Sequence, residues 1–161
     1  MDTAPYFFLS YSRTNLDSYF KKFCRELAST ISLKTGCTPA TAGFVDYEIN
    51  VGEEWPVALS KALQGCQVFV PFYTPAYFKS DYCGREWQVI RDRQDAFLAT
   101  CPAETPRPPV ILPILWAAEN ELPANLPSAV TDLQFNHAAF GDFYAKEGLF
   151  QLLRLNKHRD K

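Results

Sequence analysis

The sequence lacks the motifs of several common functional classes. Its five cysteines are widely spaced and form no CxxC pair, so we predict neither a disulfide framework nor a zinc motif. Histidine is scarce, and His137 and His158 are not spaced as a metal-ligand pair, so no metal site is expected. The GxGxxG, GxxxxGK and GxSxG patterns are all absent, which argues against a dinucleotide-binding Rossmann fingerprint, a P-loop and a serine-hydrolase elbow.

The sequence also lacks a charge excess and a long apolar run. Sixteen Lys and Arg residues accompany 18 Asp and Glu residues, a net charge of -2, which argues against nucleic acid as a partner. The longest apolar stretch, 110–118, is interrupted by Pro113 and is shorter than the roughly 20 residues of a transmembrane helix. A signal peptide would require a basic residue before its apolar run, and none precedes the first apolar run here. We therefore expect a cytoplasmic protein with no membrane partner.

What is present is the composition of one folded domain spanning residues 1–161, with 47% hydrophobic and 15% aromatic residues. Apolar runs bounded by turn residues predict strands, and apolar positions spaced three or four apart predict helices. The predicted strands cover residues 6–11, 43–46, 67–73 and 110–116, with a weaker one at 133–135. The predicted helices run from residue 16 to a stop at Gly36, and over about 55–63, 80–100 and 143–157.

This alternation of strands and helices predicts the fold class. The strands are continuous apolar runs, which is typical of a parallel sheet covered by helices on both faces. We therefore predict an α/β fold, a flavodoxin-like doubly wound sheet of about five parallel strands. In such sheets ligands bind beyond the carboxyl ends of the strands, which here indicates the loops after Tyr11, Asp46 and Tyr73.

One carboxylate, Glu86, is predicted to lie at this ligand-binding edge. It falls in the first turns of the helix that follows the strand at 67–73. Because residues four apart share a helix face, Tyr82 is expected on the same side as Glu86, and Cys83 on another. The alternative interpretation is structural, with Glu86 serving the helix dipole or an ion pair with Arg85 or Arg93.

Three segments resemble motifs of one known family. Phe8-Leu-Ser-Tyr-Ser12 is similar to its first-strand motif. Gly43-Phe-Val-Asp46, followed by Ile49-Asn-Val-Gly52-Glu, resembles its second strand and the loop after it. Ser80-Asp-Tyr-Cys83-Gly-Arg-Glu86 matches the serine, cysteine and glutamate pattern of its third helix. On these motifs the chain resembles the TIR (Toll/interleukin-receptor/resistance) domains, and more closely the bacterial NAD-cleaving members than the animal adaptors.

The resemblance implies an NAD hydrolase that cleaves the nicotinamide-ribose bond, yielding ADP-ribose or a cyclic variant. In the enzymatic branch of the family, the glutamate of the third helix is the catalytic residue. The resemblance therefore implies the same role for Glu86, which stands at the matching position. NAD would be the substrate, and no cofactor is implied. Nicotinamide leaves from a nitrogen that is already positively charged, so the second, acidic carboxyl group of ordinary glycosidases is not needed. The chain departs from many catalytic members at Tyr82, where they have tryptophan.

The residues expected to bind the substrate lie around Glu86 and on the loops at the strand ends. Phe44 and Tyr82 would flank the nucleotide, or else pack in the core. The backbone around Ser12 and the side chain of Arg13 would meet the diphosphate, although Arg13 is equally interpreted as an exposed loop charge. The complete set is Tyr11, Ser12, Arg13, Phe44, Asp46, Ser80, Tyr82 and Cys83.

The loop after the second strand is expected to mediate assembly. In the family this loop mediates contacts between TIR domains or gates the pocket, and a plain connecting loop is the alternative. The residues concerned are Ile49, Asn50, Val51, Gly52 and Trp55. We expect homo-oligomerisation with other TIR domains to activate the enzyme, and regulation by a partner protein or by a sensor domain beyond residue 161. Bacterial immune defence is the implied setting.

Two other functions are alternatives to NAD hydrolysis. The first is a non-enzymatic TIR signalling or scaffold module that acts through TIR–TIR interactions. The second is a phosphate-accepting receiver domain, which needs acidic residues at the ends of its first strands. Residues 10–12 carry no carboxylate, which argues against a receiver domain.

Overall fold

A computed structural model describes residues 4–45, 57–133, 135 and 138–157 of the chain. The described strands are β1 (Phe7–Ser10), β2 (Gly43–Val45), β3 (Val68–Tyr73) and β4 (Ile114–Leu115). The helices are α1 (Ser18–Thr35), α2 (Pro39–Ala42), α3 (Val57–Gly65), α4 (Asp81–Ala99), α5 (Ser128–Thr131) and α6 (Gly141–Lys157). All strand pairs are parallel, and the sheet order is β2-β1-β3-β4.

Helices cover both faces of this sheet. Phe7 and Leu9 of β1 pack in a cluster with side chains of α1 and α6. Phe8, between them, points to the opposite face and packs with side chains of α3 and α4. This alternation follows from the pleat, which turns successive side chains to opposite faces. The predicted doubly wound α/β fold is confirmed.

Local signals set both ends of α1, which stops at Gly36 as predicted but starts at Ser18, two residues after the predicted start. The Asp17 carboxylate accepts a hydrogen bond from the backbone N–H of Phe20 at 2.8 Å and caps the first turn. Gly36 ends the helix with φ 75°, a left-handed conformation that glycine adopts without a steric penalty. Among the helices in the described part of the chain, none is both long enough and apolar enough to span a bilayer.

The last helix differs from the uninterrupted one predicted over 143–157. Gly148 has φ 76° and ψ 171°, so helical geometry breaks at this residue. Its backbone lies against the loop after β4. The approach is so close that a Cβ added at this position would lie 2.5 Å from the Ala117 carbonyl oxygen. The N–H of Phe150 then donates to the carbonyl of Trp116 at 3.1 Å. The break therefore attaches α6 to the end of β4.

The sheet is also smaller than predicted. The run at 110–116 forms only the short β4 and an isolated bridge between Ile111 and Phe69, because Pro113 lacks the N–H that a continuous ladder requires. The prediction of a weak strand at 133–135 is wrong for the two residues of this segment that the structure describes, since neither Leu133 nor Phe135 is in a strand. Phe135 instead packs its ring on Tyr73, with the ring centroids 5.4 Å apart.

Candidate functional site

Helix α4 carries Glu86 on its buried face. The Ser80 hydroxyl accepts a hydrogen bond from the backbone N–H of Cys83 at 3.3 Å and starts the helix, as predicted. The buried residues of α4 are Cys83, Glu86, Ile90 and Gln94, spaced three or four apart. The sequence had predicted Tyr82 on the face of Glu86, whereas Tyr82 is only half-buried beside this stripe. Cys83 takes that place because a spacing of three also returns to the same face.

The last residue of β1 meets Glu86 from the sheet. Ser10 points to the same face as Phe8, and its hydroxyl donates a hydrogen bond to Oε2 of Glu86. Ser10 is 1% exposed and Glu86 8%. The phenol oxygen of Tyr77 lies 3.0 Å from the Ser10 hydroxyl. Ser10, Tyr77, Cys83 and Glu86 are called the Glu86 cluster below.

Burial controls the protonation of the other members of this cluster. It raises the pKa of the Tyr77 phenol well above its usual value. It also raises the pKa of the Cys83 thiol to about 12, although the hydrogen bond with Ser80 acts in the opposite direction. Tyr77 and Cys83 are therefore neutral at physiological pH. They supply hydrogen-bonding groups next to Glu86 without adding a negative charge.

The turn that carries Tyr77 is tied to the loop after β1. Thr74 follows β3 and donates its hydroxyl proton to Oδ1 of Asn15 at 3.0 Å. The same hydroxyl accepts a hydrogen bond from the backbone N–H of Tyr77 at 3.1 Å. These two bonds connect the carboxyl ends of β1 and β3. The Tyr77 phenol is thereby held over the end of the sheet, where ligands bind in folds of this type.

Of the predicted substrate-binding residues, Cys83 belongs to the cluster and Ser80 caps its helix, while Phe44 and Tyr82 lie on the α3–α4 face of the sheet. The Phe44 ring stacks on Phe8 with the centroids 5.3 Å apart and the planes inclined by 8°. Tyr82 packs against the same group of core side chains. Phe44 and Tyr82 are thus brought to one side of the sheet and partly buried, an arrangement compatible with both core packing and ligand stacking.

The residues predicted in the loop after β1 occupy other surroundings. Tyr11 belongs to the cluster on the α1–α6 face, with its ring 4.5 Å from that of Phe20. The Ser12 hydroxyl lies 3.0 Å from that of Thr14. Arg13 is half-buried at the start of a 3-10 turn. Tyr11 therefore faces the side of the sheet opposite to that of Phe8 and Ser10.

The remaining predicted positions lie outside the described residues. They are Asp46 and the assembly-loop residues Ile49, Asn50, Val51, Gly52 and Trp55. Among the described residues, no group of three or more His, Cys, Asp or Glu side chains is arranged to hold a metal ion.

A cleft of about 560 Å³ lies next to the cluster, between α4 and the segment 123–130. Tyr77 and Cys83 line it together with Trp87. This volume is within the range of pockets that hold small molecules, roughly 300–1,000 Å³. The cluster therefore borders a cleft on the α5 side through Tyr77 and Cys83.

Comparison with known proteins gives the family. A family model described as TIR domain matches residues 7–153. The chain belongs to the TIR-domain family. A solved TIR domain, that of the Toll-related receptor TRR-2 from Hydra magnipapillata, is 13% identical over 98% of each chain, with a TM-score of 0.49. No curated protein matches the sequence.

Sequence reasoning missed two members of the cluster in this TIR domain. The sequence placed Ser10 only within the first-strand motif Phe8–Ser12, and it predicted no role for Tyr77. One signal for Ser10 was present, since it is a polar residue inside the otherwise apolar run 6–11. A polar group in a buried strand needs a partner. Nothing in the sequence identified that partner as Glu86.

Proposed function

We propose that this TIR domain is an NAD hydrolase in which Glu86 is the catalytic residue. The observation that carries the proposal is the placement of the Glu86 carboxylate at the carboxyl end of β1, where the Ser10 hydroxyl hydrogen-bonds to it. A carboxylate held by a neutral hydroxyl donor at the ligand-binding edge of a parallel sheet suits a reaction that develops positive charge on a sugar. Membership of a family that includes NAD-cleaving enzymes supports the same function.

The reaction needs little beyond this carboxylate. Cleavage of the bond between the ribose C1′ and the nicotinamide nitrogen returns the bonding electron pair to the pyridinium ring. Neutral nicotinamide therefore leaves without a proton. The ribose is left as an oxocarbenium-like centre, which the negative charge of Glu86 stabilises or traps as an ester. Attack by water gives ADP-ribose, and attack by a base nitrogen gives a cyclic product.

Aromatic side chains near Glu86 suit the rest of the substrate. Tyr82 precedes Glu86 by one helical turn, and Phe44 exposes part of its ring on the same side of the sheet. Either ring offers an apolar face on which a nicotinamide or adenine ring would stack. We propose that assembly with further copies of this TIR domain completes the site, in the setting of bacterial immune defence.

Nicotinamide release tests this function. The wild-type chain is incubated with NAD at high protein concentration or with a crowding agent, alongside Glu86→Gln. The control is Glu104→Gln, because Glu104 is exposed in the loop between α4 and β4, at the opposite edge of the sheet. We expect turnover in the assembled wild type and in the control, low turnover in the dilute monomer, and a loss of at least about a hundredfold in Glu86→Gln. Turnover that survives Glu86→Gln removes Glu86 from catalysis.

One observation favours a second function. Glu86 is only 8% exposed, which also suits a carboxylate that serves structure alone. The domain would then be a signalling or scaffold module that acts by binding other TIR domains. If the wild-type chain releases no nicotinamide under any assembling condition, and yet forms oligomers, this second function is supported and NAD hydrolysis is rejected.

A further inference from the structure

We infer that Ser10 and Tyr77 form a two-hydroxyl relay that orients the Glu86 carboxylate and holds it in its ionised form. The relay runs from the Tyr77 phenol through the Ser10 hydroxyl to Oε2 of Glu86. Ser10 and Tyr77 are thus positioning residues, which act through Glu86. Their importance for catalysis rests on the proposed function, whereas their effect on the Glu86 carboxylate does not.

The direction of the relay follows from counting protons. A serine hydroxyl carries a single proton, and Ser10 donates it to Glu86. The Ser10 hydroxyl also has a hydrogen bond with the Cys83 thiol. Since the Ser10 proton is given to Glu86, the contact of 3.0 Å between the Ser10 oxygen and the Tyr77 phenol oxygen has Tyr77 as its donor. Burial keeps the phenol protonated by raising the pKa of Tyr77 well above its usual value. Both hydrogen bonds thus point towards the carboxylate, and donation to a carboxylate favours its ionised form.

The fold holds all three groups in place. Ser10 is fixed by the ladder between β1 and β3, where it pairs with Pro71. Tyr77 is held by hydrogen bonds from its backbone N–H to the carbonyl and the hydroxyl of Thr74, both at 3.1 Å. Glu86 lies within α4. Since each group is attached to a different rigid element, the orientation is set before any ligand arrives, as preorganised sites require.

Cys83 and Tyr73 are further titratable groups that lie beside this arrangement. Cys83 faces the cluster from α4 and carries a thiol whose pKa burial raises to about 12. Tyr73 of β3 lies behind Tyr77, with the ring centroids 6.0 Å apart, and burial raises its pKa as well. Both are neutral near pH 7. They therefore do not compete with the relay for control of the carboxylate in the acidic range, where a carboxyl group titrates.

Titration of the Glu86 carboxyl group tests the inference directly. The full chain is labelled with 13C at glutamate side-chain carboxyls and followed by NMR between pH 3 and 8, with Glu86→Gln used to assign the signal. Removal of the donor in Ser10→Ala should raise the Glu86 titration midpoint by about one pH unit, a tenfold change in proton affinity. Tyr77→Phe should raise it by a smaller amount, because it removes only the second bond of the relay.

A matched variant separates the relay from general loosening of the core. Tyr144 is also buried, but its phenol bonds to the Leu115 N–H at 2.9 Å, outside the cluster. Tyr144→Phe should leave the Glu86 midpoint unchanged. The inference is overturned if the midpoint does not move in Ser10→Ala, or if Tyr144→Phe moves it as far as Tyr77→Phe does.

Kinetics then show whether the relay serves catalysis. Where the wild type cleaves NAD, Ser10→Ala should lower kcat about tenfold with little change in KM, and the acid limb of its pH profile should move to higher pH. A midpoint that shifts in a chain without NAD turnover rejects the proposed function and leaves the relay standing. Turnover with an unshifted midpoint rejects the relay alone.

Discussion

Gly148 provides a quantitative test of the packing between α6 and β4. An alanine Cβ at this position would lie 2.5 Å from the carbonyl oxygen of Ala117 and 2.6 Å from that of Trp116. Both are backbone atoms, so neither can rotate away. The backbone angles, φ 76° and ψ 171°, also fall in a region used almost exclusively by glycine. Gly148→Ala therefore combines backbone strain with a steric clash.

The sequence contains a control with a nearly identical φ. Gly36 has φ 75°, and a Cβ added there meets no atom within 4 Å. We expect Gly36→Ala to lower the free energy of unfolding by about 1 kcal/mol, the left-handed penalty alone. Gly148→Ala adds the clash and the greater strain of ψ 171°, where Gly36 has ψ 5°, and should lower it by about 3 to 5 kcal/mol. For a chain of this length, 3 kcal/mol corresponds to a fall in Tm of about 6–12 °C.

Urea unfolding followed by tryptophan fluorescence measures the difference, because the buried Trp116 lies at the contact. The clash at Gly148 predicts that the unfolding free energies of the two variants differ by at least about 2 kcal/mol. If Gly148→Ala is no more destabilising than Gly36→Ala, the close approach of α6 to the end of β4 is refuted.

Two further predictions concern stability. The Arg93 guanidinium donates to the carbonyls of Leu63 and Cys66, both at 2.6 Å, and so joins α4 to the end of α3. Arg93→Met should lower the free energy of unfolding by about 2 kcal/mol in urea titrations, and Arg85→Met, at an exposed position of α4, by less than about 0.5. The second is alkaline destabilisation. Burial raises the pKa of the Cys83 thiol from 9.0 to about 12, so the unfolded chain loses this proton first and stability falls as pH rises from 9 towards 12. Cys83→Ala should make that fall shallower by up to about 1.4 kcal/mol per pH unit, and an unchanged slope contradicts the burial argument.

The features predicted correctly from the sequence have local causes. The end of α1 follows from Gly36, and the start of α4 follows from Ser80, because caps and stops act within a few residues. The doubly wound fold follows from uninterrupted apolar runs, which only a sheet covered on both faces can bury. The placement of Glu86 at the carboxyl edge of the sheet followed from the same two patterns.

The errors arose where distant segments decide the outcome. The break in α6 comes from the approach of Gly148 to the loop after β4. The glycine is visible in the sequence, but the distant contact that fixes its backbone angles is not. Similarly, Phe135 packs on Tyr73 instead of extending the sheet. An apolar residue such as Phe135 can lie in a strand or pack in the core outside the sheet. Its hydrophobic character alone therefore did not predict which of the two occurs.

The site divides in the same way. The sequence by itself determined that a carboxylate stands in the first turns of α4, because helix capping and spacing are local properties. Only the tertiary structure decided that Ser10 is its hydrogen-bond donor and that Tyr11 faces the other side of the sheet. Ser10 and Glu86 are 76 residues apart in the sequence, and their contact depends on strand pairing and on the pleat. Because the pleat alternates with every residue, the choice between neighbouring side chains is made only when the strand takes its place against α4.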